Sequence, residues 1–363
     1  MLKYRCYMCS STFEITTTRY RCDCGGLFVL ETGSSVFEVD RSDWSLWRYR
    51  SLLPKLTKES SSPPISMGEG MTPLVKDLDG CILKLDFLNP TLSYKDRGSV
   101  VLMALAKALG VKEVAIDSSG NAGVSVAAYA KRASIGAHVF VPESTSSKKV
   151  KQLQLFDAEI HQGGDRSFAA LAIAEFLEHN RDIFYASHVY NPFFIHGVKT
   201  VVFEIFEQLQ GRLPAEIVVP VGNGTLVLGV HEAIEDLKRA SVIQVGPKII
   251  AVQARACAPV FEAFQQVPIS SYRLSQETVA EGIAITSPPR ASEIIAAVSE
   301  SNGSVIAVSE TEILDAQRRL FEQGIDVEPT AAATYAGYLM LRKSSCIESE
   351  CAVVLTGAGL KSR

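Results

Sequence analysis

Short apolar runs, glycine-bearing turns and amphipathic stretches alternate along most of the chain. Strand-like runs fall at 80–85, 114–117 and 137–141, and again at 216–221, 248–253, 303–308 and 351–356. Between the earlier ones lie helical patterns at 99–109, ending at Gly110, at 122–133, rich in alanine, and at 146–156, which is basic. Alternation of this length predicts an α/β fold of mostly parallel sheets covered by helices on both faces. In such sheets ligands bind beyond the C-terminal strand ends. The glycine-rich turns of this chain fall there. No internal repeat or low-complexity tract interrupts the rhythm.

The first 33 residues follow a different pattern. Cys6 and Cys9 are two residues apart and Cys22 and Cys24 one residue apart, with strand-like, threonine-rich sequence between the pairs. Two knuckles that each present paired thiolates are a common way to build a tetrahedral zinc site. Gly25 and Gly26 supply the backbone freedom of a knuckle turn. A small zinc-ribbon-like module is expected, either holding zinc through Cys6, Cys9, Cys22 and Cys24 or keeping the ribbon shape with its thiols packed together. Residues 34–64 then turn rich in Ser, Trp, Arg and Pro, which reads as a linker with one short helix near 44–49.

Composition narrows the class of ligand. The chain has 363 residues and is 47% hydrophobic, enough for two lobes with large cores. Its formal charge of −4 arises from 36 basic and 40 acidic residues without long runs, so a small molecule is a better partner than nucleic acid or a membrane surface. The first residues lack the apolar core of a secretory signal, and no stretch approaches the ~20 apolar residues of a membrane span. Of eight cysteines, four cluster before Gly25 and four are scattered, which suits a reducing compartment. A cytoplasmic location is expected.

Four segments carry candidate chemistry. In Asn89-Pro-Thr-Leu-Ser-Tyr-Lys-Asp-Arg-Gly98, Lys95 follows a proline-bearing loop and precedes the helix expected from Ser99. Positive helix-end potential and partial burial both favour the neutral, nucleophilic amine that a Schiff-base lysine requires. Asp117-Ser-Ser-Gly-Asn-Ala-Gly123 runs from a strand end into a helix. Ser118, Ser119 and Gly120 form an anion site there, and Asn121 adds an amide; the same residues also suit a plain helix cap. In Pro220-Val-Gly-Asn-Gly-Thr225, Gly222 and Gly224 let the backbone approach a phosphate closely. In Val353-Val-Leu-Thr-Gly-Ala-Gly-Leu-Lys361, Thr356 ends a strand at a glycine turn.

Taken in order, these segments resemble fold type II (tryptophan synthase beta-like) pyridoxal-phosphate enzymes, and among them threonine synthase and its paralogues. The resemblance spans about 66–361 and includes Glu69-Gly-Met-Thr-Pro73 and Glu328-Pro-Thr-Ala-Ala332. It implies pyridoxal 5'-phosphate bound to Lys95, which also serves as general base and acid. Asn121 would contact the ring's phenolic oxygen, Gly222, Asn223, Gly224 and Thr225 its phosphate, and Thr356 its ring nitrogen. Ser118, Ser119 and Gly120 would hold the carboxylate of an amino-acid substrate. It further implies a large cofactor-binding lobe from 65–85 and 196–363, a small lobe over 86–195, and a homodimer.

One segment departs from the family pattern. Where threonine synthases hold the substrate phosphate partly with an arginine, this chain reads Asn191-Pro-Phe-Phe-Ile-His-Gly-Val-Lys-Thr200, with Phe194 at the arginine position. Loss of a bidentate phosphate ligand points to a smaller or less charged leaving group. His196 and Lys199 are the candidates to compensate; His188 and His196 otherwise read as structural. Four readings follow. They are a threonine synthase with a rearranged phosphate site, a β-replacement enzyme on serine or O-phosphoserine derivatives, a serine or threonine dehydratase-type lyase, and a catalytically silent metabolite-binding relative.

Overall fold

The computed structural model describes residues 2–31, 36–55, 65–267, 277–344 and 350–361. The serine- and proline-rich end of the expected linker, 60–64, lies outside them. In chain order the first strands are β1 Lys3–Cys6, β2 Thr12–Glu14, β3 Phe28–Leu30, β4 Leu74–Lys76 and β5 Ile82–Lys84. Then come α1 Lys95–Ala108, β6 Glu113–Ile116, α2 Asn121–Ala133, β7 Gly136–Val141 and α3 Ser147–Gln154. They are followed by β8 Glu159–Gln162, α4 Arg166–His179, β9 Phe184–Tyr185, α5 Pro192–Val198 and α6 Thr200–Gln208. The remainder is β10 Glu216–Pro220, α7 Thr225–Arg239, β11 Lys248–Ala254, α8 Pro259–Phe264, α9 Ala291–Glu300, β12 Ser304–Val308, α10 Glu310–Glu322, α11 Pro329–Lys343 and β13 Cys351–Val354.

The chain divides into two compact units, 1–69 with 95–197 and 70–94 with 198–363. These boundaries differ from those expected at 85/86 and 195/196, because 86–94 stays with the strand it leaves. Leu92 closes a turn onto Asn89, and Ser93 bridges Gly357.

In the first unit β1, β2 and β3 form an antiparallel sheet in the order β2-β1-β3. Tyr4 stacks on Phe28 at 4.9 Å and meets Phe193 edge-on at 6.4 Å, so this small sheet is docked by aromatic contacts. A 3₁₀ turn at Leu46–Tyr49, capped by Ser45, buries Trp47 and Tyr49 in the segment read as a linker. A second sheet of this unit is fully parallel, in the order β8-β7-β6-β9. α1 and α2 pack together, tied by Ser125 Oγ, which donates to Asp96 Oδ1 at 2.6 Å and lies 2.7 Å from Ser99 Oγ.

The second unit is a six-stranded sheet, β12-β11-β10-β13-β5-β4, parallel except that β4 runs against β5. Its runs of Val and Ile are buried on both faces, as parallel strands under helices must be. Val218, Val252, Ile306 and Val353 pack with Ala332, Ala336 and Tyr335 of α11, and Ile313 and Leu320 of α10 complete that core. Among the described residues, no helix is long and apolar enough to cross a membrane.

Candidate functional site

Helix α1 begins at Lys95, not at Ser99. Asp96, Arg97, Gly98 and Ser99 are buried because they are paired or small, a signal that an apolar pattern does not carry. Lys95 is thus itself in the first turn, half-buried, where helix amides lack intrahelical partners. Its Nζ lies 5.7 Å from the centre of the Phe194 ring. Phe194 is wholly buried, and a side chain on Gly98 would strike its ring at 2.4 Å. His188 meets the same ring edge-on at 5.8 Å, and its buried Nδ1 has no partner among the described residues.

Burial, and then the charge of Lys95, hold the His188 imidazole well below its usual titration range. In the unfolded chain its pKa returns to ~6.5. Below that pH the unfolded state binds a proton that the folded state refuses, so stability falls by up to ~1.4 kcal/mol per pH unit of acidification. Urea unfolding at about pH 7.5 and about pH 5.5 should register the fall, and His188→Gln should reduce it. A pH dependence unmoved by the substitution would assign the effect elsewhere.

Ser118, Ser119, Gly120 and Asn121 form the turn from β6 into α2. The helix is capped at Gly120 without any side-chain hydrogen bond, so neither serine serves as the plain cap. Ser118 and Ser119 are both half-buried. Gly123 is what permits this turn: a Cβ there would lie 1.8 Å from the Ser118 carbonyl oxygen. Asp117, just before, accepts a 2.8 Å hydrogen bond from Tyr185 Oη, and burial pushes its carboxyl above the usual range.

Gly222, Asn223 and Gly224 belong to the second unit, between β10 and α7, and Thr225 opens α7. Gly224 takes the left-handed conformation at φ +81° and caps α7, where a Cβ would collide with Ile294 at 2.2 Å. A Cβ on Gly222 would come within 3.0 Å of Ile283 Cα. The loop is therefore a backbone cradle at a helix N-terminus, the arrangement that suits an anion. Thr356, past the end of β13, is 1% exposed, and its Oγ1 has no partner among the described residues.

Tyr94 was not singled out by the sequence, although it precedes Lys95. Its N–H donates to the Thr356 carbonyl at 2.9 Å, and its hydroxyl lies 3.3 Å from Thr225 Oγ1. Tyr94 is thereby tied to two other candidate residues of the second unit. Leu92 in the same loop sits at φ +60°, a left-handed conformation unusual for leucine and characteristic of functional loops. Lys199, offered above as a compensating phosphate ligand, is instead wholly buried in an ion pair with Asp236 at 2.6 Å. His196 is also buried, at 3% exposure.

Residues 65–357 match the family described as pyridoxal-phosphate dependent enzyme. The chain belongs to this family. Over 98% of its length and 92% of the relative's, it is 32% identical to threonine synthase of Methanocaldococcus jannaschii. It is 33% identical to threonine synthase of Synechocystis sp. over 87% of this chain and 85% of that one. Its fold is similar to that of maize serine racemase, with TM-score 0.68, 22% identity and coverage of 79% of this chain and 88% of the other. The processed threonine deaminase isoform 2 of Solanum lycopersicum gives TM-score 0.69 at 22% identity, covering 79% of each chain. This family member is a threonine synthase-like enzyme of amino-acid elimination and replacement, with pyridoxal 5'-phosphate as cofactor. Its residues fit that group: the glycine cradle leaves no room for a side chain where a phosphate would approach, and the buried Thr356 hydroxyl has no partner among the described residues.

At the ribbon the four thiols converge. Cys6 Sγ lies 3.5 Å from Cys24 Sγ, Cys9 Sγ lies 3.5 Å from Cys22 Sγ, and all four sulfurs fall within 4.8 Å of one another. Sulfurs bound at ~2.3 Å to a tetrahedral zinc stand ~3.8 Å apart. Gly25 has φ +85°, and Gly26 leaves room for Cys6, whose Sγ a Cβ would meet at 2.6 Å.

Proposed function

We propose that this enzyme cleaves a carbon–oxygen bond of an amino-acid substrate and eliminates or replaces the leaving group, with Lys95 carrying the cofactor. The observation that carries this reading is Lys95 in the first turn of α1, with Tyr94 before it anchored to Thr356 and Thr225. Pyridoxal phosphate, when bound, supplies an electron sink for charge developing at the substrate Cα. Lys95 takes the proton from that carbon and returns it. Ser118, Ser119 and Gly120 would hold the substrate carboxylate, and Asn121 would contact the phenolic oxygen of the ring. Gly222, Asn223, Gly224 and Thr225 would hold the phosphate with amides at the start of α7. Thr356 would offer the ring nitrogen a neutral hydroxyl rather than a carboxylate, which would favour elimination and replacement over transamination.

Conversion of O-phosphohomoserine to threonine is the leading reaction, supported by near-full-length similarity to threonine synthases. The Phe194 ring beside Lys95 favours a second reading, β-replacement or deamination of serine-type substrates, because an apolar ring offers no ligand to a phosphate. Phosphate release from O-phosphohomoserine and keto-acid formation from serine and threonine, measured on the loaded enzyme, separate the two. Phosphate release with threonine formed is the expected result. Keto-acid formation without phosphate release would replace it with the second reading. The same proposal takes the working form to be a cytoplasmic homodimer, which sedimentation of the loaded enzyme checks.

Cys6, Cys9, Cys22 and Cys24 are proposed to bind a structural zinc ion. Cys9→Ser is expected to lose one equivalent of zinc per chain and to melt at lower temperature. Equal zinc content in native and substituted protein would rule the site out.

A further inference from the structure

A second convergence of metal-binding side chains lies in the parallel sheet of the first unit, away from the ribbon in sequence. His138 stands on β7, and Glu159 and His161 on the edge strand β8, in a register that sets His138 opposite Glu159 and Phe140 opposite His161. Residues 159 and 161 alternate onto one face, and His138 shares it. His138 Nδ1 faces His161 Nε2 at 3.1 Å. One carboxylate oxygen of Glu159 lies 3.5 Å from His138 Nδ1, and the other lies 3.5 Å from His161 Nε2. Donor atoms bound at ~2.0–2.1 Å to a tetrahedral ion stand ~3.3–3.4 Å apart, and one donor atom from each of these three residues lies within 4.8 Å of the others, near enough to close on one centre.

The surroundings fix the rings in that orientation. His161 stacks on Phe140 at 4.3 Å and 10°, and Phe176 of α4 lies 5.0 Å from His138 and 5.3 Å from His161. His138 Nε2, the nitrogen turned away from the cluster, faces Glu113 Oε1 at 3.8 Å. A carboxylate behind a ligating imidazole is the usual outer support of a metal-bound histidine. The His138 and His161 side chains are 12% and 28% exposed and that of Glu159 is 65% exposed, so a hydrated cation has a way in. Two imidazole nitrogens that point at each other can share only one proton. A cation between them uses both lone pairs and draws in the carboxylate.

We propose that His138, Glu159 and His161 bind a divalent first-row transition ion of the zinc class, clasping edge strand β8 to β7. Two imidazoles and a carboxylate select such an ion over Mg²⁺ or Ca²⁺, which prefer all-oxygen sets. Three protein ligands leave a fourth position for water. The site is independent of the reaction proposed above and of the ribbon.

Zinc content of the full-length, cofactor-loaded enzyme, equilibrated with micromolar zinc, tests it. His161→Gln is expected to bind one equivalent fewer than the native chain, whatever the four cysteines hold, and to show a smaller zinc-dependent rise in Tm than the native chain. Equal zinc content in the two proteins overturns the proposal. Should His161→Gln not fold, Glu159→Gln decides, because that carboxylate is at the surface. Weakening of zinc binding by ~10-fold or more bears the site out, and unchanged affinity overturns it.

Discussion

Lys95→Ala is expected to abolish the visible absorbance of the lysine-bound cofactor and to lower turnover by at least ~10³-fold. The substitution removes both the attachment point and the group that moves the Cα proton, so no other residue of the site substitutes for it. The fold should survive. Alanine is a good helix former, and α1 is held by the Asp96–Ser125 contact and by its buried face, not by Lys95. Lys95→Arg keeps the charge and the reach but cannot be deprotonated. It should be as inactive as the alanine variant while restoring the positive charge beside His188 and Phe194. An active, absorbing Lys95→Ala enzyme would end the assignment of Lys95, and a native chain without the absorbance would favour the silent, metabolite-binding reading.

The strands that build the large sheet were legible because their environment is uniform. Runs such as Ile217–Val218–Val219 and Val353–Val354–Leu355 have no polar position, as strands buried on both faces require. The glycine turn after β10 was legible for a related reason, since Gly224 takes φ +81° at a helix cap, a conformation that favours glycine. Elements held by pairing were harder to see. Strand β8 reads Glu-Ile-His-Gln and is an edge strand with little burial, so no apolar alternation announces it. The start of α1 was placed four residues late because its buried polar residues are stabilised by partners distant in sequence. The same reason hid Tyr94, whose hydroxyl meets Thr225 from 131 positions away. Phe194 was legible as a departure from the family pattern, but its contact with Gly98 and its position beside Lys95 are three-dimensional facts.

Lys84→Met should destabilise the protein by ~3–5 kcal/mol, the cost of leaving a buried charge without its partner. Lys84 lies within β5 with no exposed surface, and Glu204 on α6 is equally buried. Its ammonium donates to Glu204 Oε2 at 2.8 Å, to Gln208 Oε1 at 2.8 Å and to the Thr72 carbonyl at 2.6 Å. All three ammonium protons are therefore used, and Gln208 Nε2 closes the network on the same carbonyl at 2.9 Å. Methionine fills much of the volume but leaves the buried Glu204 carboxylate without its cation. A double replacement, Lys84→Met with Glu204→Leu, removes both charges and should recover most of the loss, since apolar pairs replace buried ion pairs at little cost. The effect reaches the site through the sheet: Leu355 N–H donates to the Lys84 carbonyl at 2.9 Å, one residue before Thr356. Lys84→Met should consequently weaken cofactor retention as well as lower the urea midpoint, and the double variant should regain both. A single variant that loses less than ~1 kcal/mol would show that water enters to solvate Glu204, and that the pair does not organise this end of the sheet.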